Sequence, residues 1–364
     1  MATTEDGRFS TSSNTRHGEA NDRPRFPGPL VTPVIALDAM GGDRAPAEIV
    51  AGGVRAAAEL DVDVLLVGRP DAIAPHLPDG KTPARVEVLS ASEVIAMDDE
   101  PASAVRTKKD SSLVRGARAV KQGQAHALVG AGNTGATMAA ALLGFGRIRG
   151  VHRPAIAVPL PLFGADRAQL LIDGGATVDP QPEWLVEWAV LGREYARVRL
   201  GVDEPTVALL SNGEEPGKGD ALRKAAYPLL SEVKGWVGNV EGRDLVRPSA
   251  DVIVTDGFTG NVALKTVEGA LSGLAAMVFG VLDEPEFAAL ADALKLRMLE
   301  AAAPLLPDNT GGALLLGVDG VCIISHGASS ATAIFNAVRV ARDCVTTGVV
   351  DRLTAAALEL KGDA

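Results

Sequence analysis

ALVGAGNTGATMAAAL, residues 127–142, is the stretch whose reading decides the fold. A short apolar run enters a turn containing Gly130, Gly132 and Gly135 and leaves as an alanine-rich helical stretch. Strand, glycine turn and helix make the local plan of an α/β sheet, and the turn spells G-x-G-x-x-G. A dinucleotide site asks for more: an acidic residue about 20 positions later, at the end of the next strand, to hold the ribose hydroxyls. From Asn133 to Gly164 there is no Asp or Glu. The adenosine half of NAD or FAD has no anchor, and no cofactor is expected. What the glycines still offer is a row of backbone N–H groups at a helix start, suited to some other anion.

The same rhythm extends outward in both directions. VIAL, VDVLLVG, RVEVL, HALVG, AIAVPL, QLLI, TVALL, DVIVT and VCII alternate with helical patterns from Val34 onward. This predicts a three-layer, Rossmann-like, mainly parallel sheet with helices on both faces. Ligands in such sheets collect at the carboxyl ends of strands. Five strand ends carry turns rich in Gly, Asn and Asp: Asp38 to Asp43 with Gly41 and Gly42; Gly130 to Gly135; Asp173 to Thr177; Ser211 to Gly219; and Asp256 to Asn261. The turns are expected to gather along one rim of the sheet.

Phosphate recognition combines oriented donors with nearby cations. The substrate-binding candidates are therefore Asp38, Gly41, Gly42, Asp43, Gly132, Thr134, Gly135, Asp173, Asn212, Gly213, Glu214, Lys218, Asn239, Asp256, Gly257, Phe258, Thr259 and Gly260. Asn133 and Asn261 bring amide donors, and Lys265 brings an ammonium group. His326 follows the strand VCII and suits either a helix-capping role or a catalytic donor or base. Lys108 and Lys109 open a basic segment, 106–121, in which Arg106, Lys108, Lys109, Arg115, Arg118 and Lys121 face only Asp110. Such a field is either a solvated helix face or a surface for a phosphate or an acidic partner. No nucleophile elbow, Walker A turn or metal-ligand spacing is present.

Composition bounds the rest. A net charge of −11 and a pI near 5.0 argue against a nucleic-acid partner, which needs a concentrated basic surface. Cys322 and Cys344 are the only cysteines and read as core residues. The longest uncharged apolar stretch, 269–282, falls short of the roughly 18 to 20 residues that a bilayer crossing requires, so no membrane span is expected. Residues 1–32 are rich in Ser, Thr, Asn, Pro and charge and read as a disordered tail ahead of one domain, 33–364. Asn261–Gly280 and Glu284–Ala303 read as a helical hairpin, 261–303, inserted between the strands DVIVT and VCII. Its tip, MVFGVL and PEFAAL, suits a partner subunit, the domain body, a membrane surface or a ligand channel.

IALDAMGGDRAP, AVRTKKDSSL, AGNTGATMA, RPAIAVPLP, DGGATVDPQPEWL, LLSNGEEPGKG, GNVEGRDL, ADVIVTDGFTGNVALKTVEG and SHGASSATAIFNAV, in that order from Val34 to Val338, closely resemble the bacterial phosphate acyltransferases of phospholipid synthesis. Two positions depart from the pattern: Gly130 where a serine is expected, and Ala328-Ser-Ser330 where Ser-Ser-Asn is expected. The resemblance implies transfer of a fatty acyl group from acyl carrier protein to inorganic phosphate, giving acyl phosphate for a membrane glycerol-3-phosphate acyltransferase. It also implies a fold related to phosphotransacetylases and isocitrate dehydrogenases, a homodimer, and a cytoplasmic location with weak attachment to the anionic inner membrane face. Phosphate is already an oxyanion at neutral pH, so this chemistry needs positioning more than a strong base or a covalent nucleophile.

Overall fold

The computed structural model describes residues 32–162, 167–302 and 307–362. The expected tail lies outside the described residues except for its last position, as does the final residue of the expected hairpin. Eleven strands form one sheet: β1 (Val34–Asp38), β2 (Asp63–Gly68), β3 (Val86–Ser90), β4 (Ala127–Gly130), β5 (Ala155–Pro161), β6 (Ala168–Ile172), β7 (Val207–Leu210), β8 (Trp236–Val240), β9 (Val252–Val254), β10 (Ala313–Leu316) and β11 (Val321–Ile324). Their spatial order is β3-β2-β1-β4-β11-β10-β5-β6-β9-β7-β8. All neighbours are parallel except β11–β10, β10–β5 and β5–β6.

Those three reversals matter for function. An odd number of them turns β6, β9, β7 and β8 against β1 to β4 and β11. The carboxyl ends of the two halves therefore lie along opposite edges of the sheet, and the expectation of a single rim is corrected to two. The sequence reading passed over β8 and β10. WVGNV is an edge strand interrupted by Gly238 at φ +105°, and ALLL is a four-residue arm turned back onto VCII through Gly317 at φ +86°.

Alternation along the strands sorts the core into two faces. Ile35, Leu37, Val129, Ala157, Ile172 and Val254 point to one face, buried beneath helices 47–59, 182–200 and 331–346. The other face is covered in two pieces. Helices 101–107, 112–121 and 134–144 lie over Ala36, Leu128, Cys322 and Ile156, while Ala263 and Leu264 of helix 257–282 lie over Leu171, Ala208 and Ile253. Half-buried Val158 on β5 touches both pieces and so marks the strip between them.

The hairpin consists of helices Gly257–Leu282 and Ala288–Ala302. The first begins four residues earlier than its apolar pattern suggests, because the Asp256 carboxylate caps it by accepting from the Thr259 N–H at 2.8 Å. At 26 residues, with mean hydropathy 1.5 over an 18-residue window that is nowhere buried, it is long and apolar enough to cross a bilayer. This corrects the length argument, since the helix extends beyond the uncharged stretch 269–282 at its N-terminal side, where Lys265 pairs with Glu268. Its base is fixed to the sheet: a Cβ on Gly260 would lie 1.9 Å from the Asp173 carbonyl oxygen.

Candidate functional site

The five turns, with the turn after β11 as a sixth, come together as two groups. In the first, the turns after β1, β4 and β11 interlock. A Cβ on Gly41 would lie 3.0 Å from the Gly132 nitrogen, and Gly42, at φ +111°, is packed between the carbonyls of Ala131 and Gly327. The Asp43 N–H donates to the Gly327 carbonyl at 2.8 Å. Asp38 is buried beneath them. Burial pushes its carboxyl above the usual value, opposed by the Ser112 hydroxyl and the N–H groups of Met40 and Gly41.

Asn133 organises this group. Its Oδ1 caps helix 134–144 by accepting from the Ala136 N–H at 3.0 Å, and its Nδ2 donates to the carbonyls of Met97 and Asp99 at 3.2 and 3.1 Å. The amide offered as a catalytic donor is thus spent on holding loop 96–99 over the turn. Lys108 works alongside it, donating to the Val94 carbonyl and the Asp99 carboxylate. Four successive N–H groups, those of Gly132, Asn133, Thr134 and Gly135, meet no protein acceptor among the described residues. They open a helix, where the dipole adds to their pull on an anion. His326 stands exposed beside them. Its Nδ1 accepts from the Ala328 N–H at 3.2 Å, so the neutral ring carries its proton on Nε2.

The second group joins the turns after β6, β7 and β9, and it is largely self-satisfied. Asp173 is fully buried, with its carboxylate inside its own turn: Oδ1 accepts from Gly175 at 2.9 Å, Oδ2 from Thr177 at 2.6 Å, and both accept from Ala176. Burial raises its pKa against these bonds. In the 256–261 turn, Gly257 donates to the Thr177 carbonyl, Thr259 to the Asp256 carboxylate and Gly260 to the Asp256 carbonyl. Of that turn's early N–H groups, those of Asp256 and Phe258 remain without a protein acceptor among the described residues.

Arg223, a residue the sequence reading did not single out, ties this group together. It is buried, and its Nε donates to the Leu210 carbonyl at 2.8 Å, Nη1 to Asp220, and Nη2 to Thr255 and Asp256 at 2.8 and 2.7 Å. Burial alone would raise the Asp256 pKa, but the Thr259 N–H and the Arg223 guanidinium outweigh it and hold the carboxyl low. No motif announces Arg223; the available signal was a cation following the Gly217-Lys218-Gly219 turn at a helix start. Asn261 is exposed above Gly175. Lys218 is exposed beside Glu215, Lys265 pairs with Glu268 at 2.8 Å on an open helix face, Glu214 pairs with Arg243, and Asn239 donates to the Glu215 carbonyl. Asn212, Asp43 and Lys109 are exposed. Arg115 in the basic segment donates to Asp110 at 3.1 Å, while Arg106, Arg118 and Lys121 stay exposed. Cys322 and Cys344 are buried, which pushes both thiols up to about 12 and removes them as nucleophiles.

The first group can therefore receive an external oxyanion, whereas the 173–177 turn already holds one. Comparison with known proteins finds relatives over most of the chain. Residues 34–352 match the family model described as fatty acid synthesis protein. A phosphate acyltransferase of Desulfitobacterium hafniense strain Y51 is 49% identical over 322 residues, covering 88% of this chain and 96% of that protein. One from Heliobacterium modesticaldum is 51% identical over 315 residues, covering 85% and 93%. Among solved structures, the EutD phosphotransacetylase of Staphylococcus aureus shares the fold, with a TM-score of 0.54 at 14% identity and coverage of 86% of this chain and 94% of that one. A branched-chain phosphotransacylase from Enterococcus faecalis V583 gives the same TM-score at 16% identity, covering 86% and 99%.

Proposed function

The chain belongs to the phosphate acyltransferase family, and from that premise we propose that it moves a long-chain fatty acyl group from acyl carrier protein to inorganic phosphate, for use by a membrane glycerol-3-phosphate acyltransferase. The observation that carries the placement is the row of four unspent N–H groups at Gly132 to Gly135. Phosphate bound there keeps a free oxyanion that attacks the thioester carbonyl carbon. A C–O bond to phosphate forms, the C–S bond breaks, and the thiolate leaves. His326 Nε2–H donates to the carbonyl oxygen as charge builds, or to the departing sulfur, a contact of the kind that is worth about a hundredfold or more in rate. Asn261 and Lys265 stand with the second group, Asn261 above Gly175 and Lys265 paired with Glu268, and take no part in this step. Because the nucleophile arrives already ionised, no base of raised pKa is needed.

The hairpin has a second part in this reading. Phe258, Val262, Leu274 and Met277 on its first helix and Leu296 and Leu299 on its second are exposed apolar residues, more than a solvated helix pair carries. A second copy of the chain covers these flanks, and the tip, with Phe279 half-buried and Val281 exposed, rests on an anionic membrane surface from the cytoplasmic side. Leu282 at the tip is buried and takes no part. Phe279→Asp with Val281→Asp should release the protein from phosphatidylglycerol vesicles; undiminished co-sedimentation would return the tip to a protein contact.

The reaction itself is tested with palmitoyl carrier protein, acetyl-CoA and labelled phosphate, trapping acyl phosphate with hydroxylamine. Palmitoyl hydroxamate is expected. Acetyl hydroxamate alone would make the protein a short-chain phosphotransacetylase.

A further inference from the structure

Loop 146–153 carries an uncompensated positive surface that the reaction chemistry does not use. Arg147, Arg149, His152 and Arg153 are all exposed, and the stem of Lys361 lies against Gly150. Among the described residues, no carboxylate lies within 4.0 Å of Arg147, Arg149 or Arg153. The nearby acids are occupied. Glu187, buried on helix 182–200, accepts from the His152 N–H at 3.0 Å and holds His152 Nδ1 at 2.5 Å, and Asp319 is likewise engaged.

The loop is rigid, so its cations are displayed rather than loose. The Ile148 N–H donates to the Gly317 carbonyl at 3.0 Å, Arg147 donates to the His152 carbonyl, and Trp188 Nε1 donates to the Arg153 carbonyl at 3.0 Å. The Arg153 guanidinium stands 5.7 Å above the Trp184 ring, which stacks with His152 at 6.2 Å. In a chain of net charge −11, a fixed cluster of this kind is a local positive field that attracts a polyanionic partner.

Position selects the partner. The loop follows helix 134–144, whose opposite end is the 132–135 turn. Eleven residues at 1.5 Å each separate the two by about 16 Å. Met138 and Leu142 are half-buried and Leu143 is exposed along that helix. A surface that far from the reacting atoms suits a donor whose acyl group is carried on a long flexible arm. Lipid is a poorer match, because Ile148 and Val151, the large apolar residues of the loop, are buried, while lipid-binding surfaces pair cations with exposed apolar groups. Resting on the carrier-protein reading above, we infer that Arg147, Arg149, Arg153 and Lys361 form the docking surface for the acidic acyl carrier protein. This assigns to loop 146–153 the role that sequence alone suggested for segment 106–121, where Lys108 and Arg115 are already committed to Asp99 and Asp110.

The test measures carrier binding directly, so it does not depend on turnover. Fluorescently labelled holo-carrier is titrated with wild-type protein, with Arg149→Glu/Arg153→Glu, with Arg149→Glu/Lys361→Glu and with Arg118→Glu/Lys121→Glu, each checked for wild-type melting. Affinity should fall at least tenfold in both loop variants, and its dependence on ionic strength should flatten. The Arg118/Lys121 variant should bind as wild type. Loss in that variant alone, or equal loss in all three, overturns the inference. So does a loop variant that keeps its carrier affinity but no longer binds phosphatidylglycerol vesicles, which would give the surface to lipid. Wild-type carrier binding without acyl-phosphate formation would instead overturn the catalytic reading and leave the docking surface standing.

Discussion

The turns at 130–135 and 173–177 look alike in sequence, each a strand end with two or more glycines and a polar residue, yet they do opposite things. In the 173–177 turn the anion is supplied by the protein: the Asp173 carboxylate fills the ring of N–H groups. In the 130–135 turn the corresponding polar residue is Asn133, which caps the helix and grips loop 96–99 from the side, leaving the N–H groups of residues 132–135 unspent. Glycine content makes a turn able to hold an oxyanion; the side chain at its start decides whether the oxyanion is internal. One turn is a structural joint, and the other is a binding site.

The comparison breaks most visibly at the joint. Gly260→Ala places a methyl group against the Asp173 carbonyl, which the packed turn cannot move aside, and should cost about 3 kcal/mol or more, read as a lower urea midpoint. On the other turn the largest effect should be kinetic. His326→Ala should lower kcat/KM for acyl-phosphate formation about a hundredfold, or about 2.7 kcal/mol, at unchanged stability; a folded variant of near-normal rate would remove His326 from the scheme. Asp173→Asn puts an amide where four N–H bonds from Ile156, Gly175, Ala176 and Thr177 expect a carboxylate, and should cost about 2 kcal/mol while phosphate affinity stays within about twofold. A collapse of phosphate affinity in that variant would erase the distinction between the turns. Asn133→Ala should combine both readouts at smaller size, with about 1 kcal/mol of stability from the lost cap and a severalfold rise in KM for phosphate as loop 96–99 loosens.

The smallest effect lies at the foot of the strand that carries the open turn. His126 accepts the Val34 N–H at 2.9 Å, and burial lowers its pKa below the ordinary value. The fold favours the neutral ring, so this contribution is intact above the unfolded pKa near 6.5 and is lost as pH falls through that value toward the folded pKa. His126→Gln should flatten the acid limb of the stability profile, and an unchanged limb would assign it to other groups.

Much of this was legible in the sequence. Nine strands, the two-sided cover and the inserted hairpin follow from short β-branched runs, their spacing, and the absence of a strand between the two helical patterns of 261–303. The five turns were legible too, because glycine with Asn or Asp leaves a local mark. What was not legible is relational. The two reversals at the short arm β10 cancel, and it is the antiparallel pairing of β5 with β6 that divides one expected rim into two. Whether Asn133 points its amide at a ligand or at the carbonyls of residues 97 and 99 depends on a loop some 35 positions away in the chain. Arg223 is a lone cation in an ordinary helix until four partners converge on it. Side-chain commitments of this kind are set by tertiary contacts, and local patterns do not encode them.

The most direct measurement is a titration of isotopically labelled protein with inorganic phosphate, followed through its backbone amide resonances. The N–H signals of Gly132, Asn133, Thr134 and Gly135 should shift together and saturate, while those of Gly175, Ala176 and Thr177 stay in place. Saturable shifts at 175–177 with none at 132–135 would contradict the assignment of the open turn as the phosphate site.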